Sequence, residues 1–241
     1  MIITEDKINS KNYARYYDRL EIKGTQFLAF RDLDKYIDKF KLYNKSFLDF
    51  GCGAGKSTRF LKQFSNNIKA VDINHEMIQI AKQKDYNTNY LHIDQNQLPF
   101  ENNSFDFIFS SWVLMEFSTI ISLQNSINEI SRVLKPDGIN INVVCNKYTY
   151  SKDWLSIDTN FEENKNLTSG VKVKIKLSDI DLTISDYYWN EEDYEQIFRH
   201  ANLDLLEKNY PKGRITEKLK WKDELSYSPY TIYVLRRQNN Y

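Results

Sequence analysis

Glycine and proline are scarce in this 241-residue chain, 7 and 4 in all. That excludes low-complexity disorder and collagen-like repeats, and it makes any cluster of glycines informative. Two cysteines, Cys52 and Cys145, and three scattered histidines, His75, His92 and His200, offer neither a disulfide framework nor the ligand spacing of a metal site. A reducing compartment and no metal are the expectation. An excess of one charge is missing too, because 33 Lys+Arg balance 33 Asp+Glu. A generic polyanion binder carries a basic excess or stripe, so nucleic acid is disfavoured as a partner. The longest apolar-rich run, residues 105–117, is broken by Asp106, Ser110, Ser111 and Glu116 and is too short to span a bilayer. Residues 1–7 lack a basic segment leading into an apolar one, so no signal peptide is expected. The chain reads as soluble and cytoplasmic, with no membrane partner.

Aromatic side chains are what the chain has in quantity: 17 Tyr, 14 Phe and 4 Trp. In residues 1–45 they recur at helical spacing, first as Tyr13, Tyr16, Tyr17 and Leu20, then as Phe27, Phe30, Leu33, Ile37 and Phe40. Two helices are predicted there, preceding the main sheet. Short buried strands then alternate with helices. Strands are predicted at 46–50, 68–72, 89–93, 105–109 and 139–144. The helices between them include 56–64, 75–84 and one that carries Ile127, Ile130, Val133 and Leu134 to a stop at Lys135-Pro-Asp-Gly138. Such alternation indicates an α/β domain with a mostly parallel sheet. The rhythm changes near residue 147. Residues 171–177 alternate strictly, as a strand with one solvated face, and 182–185 can pair with them as a hairpin. A helix with Tyr194, Ile197, Phe198 and Ala201 on one face follows, then candidate strands at 204–209 and 230–235.

The strongest local signal is Phe47-Leu-Asp-Phe-Gly-Cys-Gly-Ala-Gly55, which holds three of the seven glycines within five residues. An acidic residue and Gly-x-Gly-x-Gly stand between a strand and a helix, where the backbone must turn sharply and approach a ligand closely. Open parallel sheets bind ligands at the carboxyl ends of their strands. Asp72 closes the next strand, where a carboxylate can accept hydrogen bonds from both hydroxyls of a ribose. Asp94 follows the third strand, within reach of an adenine amino group. The competing readings are an ordinary strand-to-helix turn, a Rossmann NAD site and a P-loop. The spacing fits Gly-x-Gly-x-x-Gly poorly. Gly55-Lys56-Ser57 supplies only the end of a P-loop, and Phe50 stands where its first glycine belongs.

The motifs Leu48-Asp-Phe-Gly-Cys-Gly-Ala-Gly55, Val71-Asp-Ile-Asn-His-Glu-Met77, Asp94-Gln-Asn-Gln-Leu-Pro-Phe100, Ser104-Phe-Asp-Phe-Ile-Phe-Ser-Ser111 and Val133-Leu-Lys-Pro-Asp-Gly138 follow one another in order. Together they resemble class I S-adenosylmethionine-dependent methyltransferases. The resemblance implies a seven-stranded, mostly parallel sheet with helices on both faces. It implies a single methyltransferase domain: a helical cap (1–45), a cofactor-binding core (46–146), a β-rich lid inserted after strand five (147–189), and the last helix and strands (190–241). It implies S-adenosylmethionine as cofactor, with S-adenosylhomocysteine as product. Asp49, Gly51, Cys52, Gly53 and Gly55 would hold its methionine end, Asp72 its ribose and Ile73 its adenine face. Asp94 and Gln95 would meet the adenine edge, and Ser110 and Ser111 would flank the methionine moiety.

Methyl transfer needs chiefly alignment, and a base only where the nucleophile is protonated. No histidine stands out as a base: His92, on a strand, is expected in the interior and His200 at a helix surface. The resemblance sets the helix bearing Tyr13, Tyr16 and Tyr17 over the cofactor cleft, and sets Tyr187, Tyr188 and Trp189 in the lid. Aromatic faces stabilise cations and exclude water. Tyr16, Glu116 and Tyr188 are the candidate catalytic residues; Tyr17, Arg31, Trp112, Tyr187 and Trp189 are the candidate substrate contacts. The competing reading packs these rings on the core, solvates Glu116 and leaves Arg31 at the surface. Ser110-Ser-Trp-Val113 stands where amino-methylating nucleic-acid enzymes carry Asn/Asp-Pro-Pro-Tyr/Phe, and neither cysteine follows a proline. The expected acceptor is an O or N atom of a small metabolite or a peptide-like natural product. The alternatives are a non-catalytic binding or partner protein on the same scaffold, transfer of a group other than methyl, and a nucleic-acid or protein methyltransferase. Oligomeric state is left open.

Overall fold

The computed structural model describes residues 11–93 and 97–239. Its elements are α1 (Lys11–Tyr17), a 3-10 turn (Gly24–Ala29), α2 (Leu33–Lys39), β1 (Phe47–Phe50), α3 (Lys56–Leu61), β2 (Ile68–Asp72), α4 (His75–Lys84), β3 (Asn89–His92), β4 (Phe105–Ser111), α5 (Ile120–Val133) and β5 (Leu134–Cys145). There follow β6 (Ile157–Asp158), β7 (Val171–Leu177), β8 (Leu182–Tyr188), α6 (Glu191–His200), β9 (Leu203–Asn209) and β10 (Tyr230–Arg237). A seven-stranded sheet runs in the order β3-β2-β1-β4-β5-β10-β9. Strands β1 to β5 pair in parallel, whereas β10 is antiparallel to both β5 and β9. The fold is thus the expected seven-stranded, mostly parallel α/β sheet. Its strand order reverses between β1 and β4, which opens a crevice at their carboxyl ends.

The central strands β1 and β4 are mostly apolar, as covering on both faces requires. All four residues of β1 are buried, as are Phe107, Ile108, Phe109 and Ser110 in β4. Helices α4, α5 and α6 start at side-chain caps. Asn74 Oδ1 accepts the N–H of Met77 at 3.0 Å, Thr119 Oγ1 that of Ser122 at 3.1 Å, and Asn190 Oδ1 that of Asp193 at 2.8 Å. Glu191, Glu192 and Asp193 in the first turn of α6 also suit its dipole.

Between β5 and α6 lies a second sheet of three antiparallel strands in the order β6-β7-β8. Strand β7 alternates buried Val173, Ile175 and Leu177 with more exposed lysines, and pairs with β8 from Val171↔Tyr188 to Leu177↔Leu182. Its inward residues join the main core: Trp154, Ile157, Val173 and Leu182 belong to the same buried cluster as Phe107, Ile141 and Val234.

Several elements differ from expectation. The second predicted N-terminal helix is divided into the 3-10 turn and α2, because the Thr25 side chain is drawn into distant contacts: Thr25 Oγ1 donates to Glu224 Oε1 at 2.7 Å and accepts the N–H of Ser156 at 2.9 Å. Residues 135–138 stop α5 as predicted but bulge within β5, since Phe105 pairs with Leu134 and Phe107 with Ile139. Asp186, Tyr187 and Tyr188 extend strand β8 beyond the predicted hairpin. His92 is exposed, not interior, with its ring 3.0 Å from the Ile73 carbonyl and 5.7 Å from the His75 ring.

Candidate active site

The turn after β1 is built from three glycines with positive φ: Gly51 at 75°, Gly53 at 50° and Gly55 at 77°. Space demands glycine at two of them. A Cβ at Gly51 would lie 2.1 Å from Val113 Cγ2, and one at Gly55 would lie 2.6 Å from the Tyr90 hydroxyl. At Gly53 the nearest atoms, in Met77 and Tyr17, are 3.9 Å away, so a side chain there would fill the cleft itself. The turn is pinned to β2, because the N–H groups of Gly51 and Cys52 both donate to the Val71 carbonyl at 2.9 Å. Cys52 is buried and its thiol is pushed above the usual range by burial.

Two carboxylates flank this turn. Asp72 Oδ2 accepts the Gly53 N–H at 2.7 Å, and Oδ1 accepts the Asn74 N–H at 2.8 Å. Burial pushes Asp72 above the usual carboxylate range, opposed by these backbone donors. Asp49, in β1, receives the hydroxyls of Ser57 and Thr58 on Oδ2, both at 2.6 Å. Burial pushes it up to about 6 against those two donors. Its other oxygen, Oδ1, is buried without a hydrogen-bond partner among the described residues.

A cleft of about 50 Å³ lies over the turn, with Tyr17, Gln26, Phe30, Lys56, Ser111 and Trp112 in its lining beside the glycines. Tyr17 comes from α1, its ring 5.5 Å from that of Tyr13. Burial raises the pKa of both phenols, and Glu116, Asp186 and Asp72 act on each in the same direction. Trp112 has φ 60° and meets the edges of Phe30 at 5.9 Å and Tyr230 at 5.5 Å. No group of three or more His, Cys, Asp or Glu is placed to hold a metal among the described residues. No helix there is long and apolar enough to cross a membrane.

The structure therefore brings Asp49, Gly51, Cys52, Gly53, Gly55, Asp72, Tyr17 and Trp112 around one turn. Ile73 follows Asp72 directly and packs partly on the core. Asp94 and Gln95 lie outside the described residues. Other candidates are placed differently from expectation. Ser110 is buried inside the sheet opposite Asn142, and strand alternation gives the cleft Ser111 instead. Arg31 lies in another cavity, bonded to Asp32, Glu217 and the Lys212 carbonyl, so its charge is committed to internal pairs. Trp189 is buried, and its indole N–H donates to the Phe117 carbonyl at 3.1 Å, fastening β8 to the segment after β4. Tyr188 meets the Tyr150 ring edge-on at 5.9 Å, while Tyr187 is half-buried and paired with Lys172. Tyr16 stacks under Arg19 at 5.7 Å. Glu116 is exposed, yet acts electrostatically on Tyr13 and Tyr17. Sequence reasoning missed Gln26 and Lys56. For Lys56 a signal existed, its place directly after Gly55. For Gln26 none did, since only the tertiary fold carries the 3-10 turn to the cleft.

Comparison with known proteins agrees with this fold. Residues 48–141 match the family described as a methyltransferase domain. A malonyl-[acyl-carrier protein] O-methyltransferase of Buchnera aphidicola is 31% identical over 158 residues, 64% of this chain and 61% of that protein. A demethylmenaquinone methyltransferase of Staphylococcus aureus is 30% identical over 145 residues, 56% of each chain. The match thus spans well over half the length of these relatives, and less than two thirds. The crystal structure of an S-adenosylmethionine-dependent methyltransferase from Clostridium acetobutylicum superposes with a TM-score of 0.67 at 20% identity, over 95% of this chain and 98% of the other. The two share their fold.

Proposed function

This chain carries a methyltransferase domain on the class I S-adenosylmethionine-dependent fold, and from that premise we propose that it transfers a methyl group from S-adenosylmethionine to an O or N atom of a small acceptor. One observation carries the reading: a carboxylate at the end of β2, Asp72, clasps the N–H of Gly53 at the only one of the three turn glycines where a side chain would fill the cleft. The orphaned Oδ1 of Asp49 adds a second buried polar atom at the same turn. These features fit a ligand with hydroxyl and amino groups. Asp72 accepts the ribose hydroxyls, the glycine turn and Asp49 hold the methionine end, and Ile73 packs on the adenine.

When bound, the cofactor supplies a methyl carbon activated by its sulfonium for in-line displacement. The rest is positioning by this chain. Tyr17 and Trp112 present aromatic faces to the cleft, which exclude water and favour positive charge. Burial raises the pKa of Tyr13 and Tyr17, so both stay protonated and serve as hydrogen-bond donors, not as bases. Glu116 is the carboxylate we assign to take a proton from an acceptor that carries one. The relatives named for malonyl-[acyl-carrier protein] and demethylmenaquinone support an acceptor other than nucleic acid, and the neutral charge balance speaks the same way.

Isothermal titration calorimetry with S-adenosylhomocysteine tests the cofactor half. Binding in the micromolar range is expected, weakened about tenfold or more in Asp72→Ala by loss of hydrogen bonds to a charged acceptor. Absence of binding to the wild-type chain overturns the reading. Release of S-adenosylhomocysteine, with an acceptor heavier by one CH2 unit, separates methyl transfer from mere binding and from transfer of another group.

A further inference from the structure

Gln26 is 3% exposed, and neither its Nε2 nor its Oε1 has a hydrogen-bond partner among the described residues. A buried amide atom left without a partner destabilises the fold that holds it. The side chain is nevertheless held firmly in place. Its neighbour Thr25 is tied to Glu224 and Ser156, and Gly24 packs so closely that a Cβ there would lie 1.8 Å from Ser156 Oγ. The fold thus draws on its inserted segment and its C-terminal part to fix a donor and an acceptor in the lining of the cleft. Lys56, the first residue of α3, shares that lining and is half-buried.

The position of this pair relative to Asp72 identifies what it meets. Strand order runs β3-β2-β1-β4, with Asp72 closing β2 and Ser111 closing β4. Gln26 and Lys56 line the cleft together with Ser111 and Trp112, and Asp72 is not among its lining residues. Both therefore share the space over the glycine turn with the end of β4. With the ribose on Asp72, the far end of the donor reaches them. That end is an α-amino acid, with one carboxylate and one ammonium group. An ammonium and an amide complement it, since the amide donates to the carboxylate and accepts from the ammonium.

We infer that Gln26 and Lys56 are the residues that recognise the amino-carboxylate end of the donor, Lys56 pairing with its carboxylate and Gln26 bridging carboxylate and ammonium. This rests on the donor assignment above. Burial lowers Lys56 to about 8, with Asp18 and Glu21 raising it and Arg59 and Lys84 lowering it further. A carboxylate beside it restores the charged form, so donor affinity falls as pH rises above 8.

The test compares two ligands, S-adenosylhomocysteine and 5′-methylthioadenosine, which keeps the nucleoside and the sulfur but lacks the amino acid. Wild type, Gln26→Met and Lys56→Met are titrated at pH 7 and pH 9. Wild type is expected to prefer S-adenosylhomocysteine by about tenfold or more. Each variant is expected to lose most of that preference while its affinity for 5′-methylthioadenosine changes less than about twofold. The extra loss of S-adenosylhomocysteine affinity at pH 9 relative to Lys56→Met marks the lysine. Gln26→Met removes two unsatisfied buried atoms at similar volume, so its thermal stability is expected to hold or rise, which separates recognition from misfolding. Unchanged discrimination in both variants, or equal loss of both ligands, overturns the inference. Failure of the wild-type chain to bind either ligand refutes the donor assignment as well.

Discussion

Gly51 and Gly53 sit two residues apart with similar positive φ, yet the structure gives them different work. At Gly51 a Cβ meets the stiff, β-branched Val113 at 2.1 Å, so Gly51→Ala combines left-handed strain with overpacking. A loss of about 2–4 kcal/mol in urea denaturation is expected. At Gly53 the nearest atoms are 3.9 Å away, so Gly53→Ala is expected to cost only about 1–2 kcal/mol of strain. The new methyl then stands in the cleft, and S-adenosylhomocysteine affinity falls sharply in the calorimeter. Equal effects of the two substitutions on stability would show that Val113 yields. The importance of all three glycines was legible in a glycine-poor sequence. Which of them faces a ligand was not, because Val113, Tyr90 and Tyr17 come from three separate elements. Gln26 was illegible for the same reason, and so were the distant partners of Arg31, because only folding brings Glu217 and the Lys212 carbonyl to it.

At the scale of elements, α1 brings Tyr17 to the lining of the cleft. Sites for ligands of cofactor size enclose roughly 300–1,000 Å³, while the space beneath Tyr17 is about 50 Å³. Outward movement of α1 on cofactor entry is the expectation. Its C-terminal end is tied to α4 by the 2.5 Å ion pair of Asp18 with Lys84, both partly exposed. An exposed pair of this kind contributes up to about 1 kcal/mol. Lys84→Ala is expected to speed S-adenosylhomocysteine association by up to about fivefold, followed in stopped flow by the fluorescence of Trp112. An unchanged association rate would mean that α1 is not the gate. The helical character of residues 13–20 was evident from spacing. Their closure onto Gly53 was not, because spacing identifies the apolar face of a helix without naming what lies beneath it.

At the scale of the whole molecule, the inserted three-stranded sheet is joined to the seven-stranded one through shared burial. Trp154, Val173 and Leu182 from the insertion lie in one apolar cluster with Phe107, Ile141 and Val234. Trp189 adds its bond to the Phe117 carbonyl, and Glu224 joins the C-terminal segment to Thr25 and to Leu155. One cooperative unfolding transition is expected, with circular dichroism and tryptophan fluorescence coinciding. Trp154 reports the insertion and Trp112 the cleft, so two separate transitions would show that the insertion folds as a unit of its own.

The order of strands and helices in the core followed from the sequence alone, because short apolar-rich strands, helical periodicity and the glycine turn are local properties. The carboxylates near the ends of β1 and β2 were legible for the same reason: a position at a strand's end is a position along the chain. The remainder was decided by tertiary structure. Ser111 rather than Ser110 reaches the cleft, Trp189 fastens the insertion, Arg31 pairs elsewhere, and Gln26 arrives as a buried amide beside Lys56. These outcomes depend on which side chains the packed sheet, the inserted strands and the N-terminal turn bring together. Burial and charge pairing across such distances are set by the closed fold, not by any local pattern of residues.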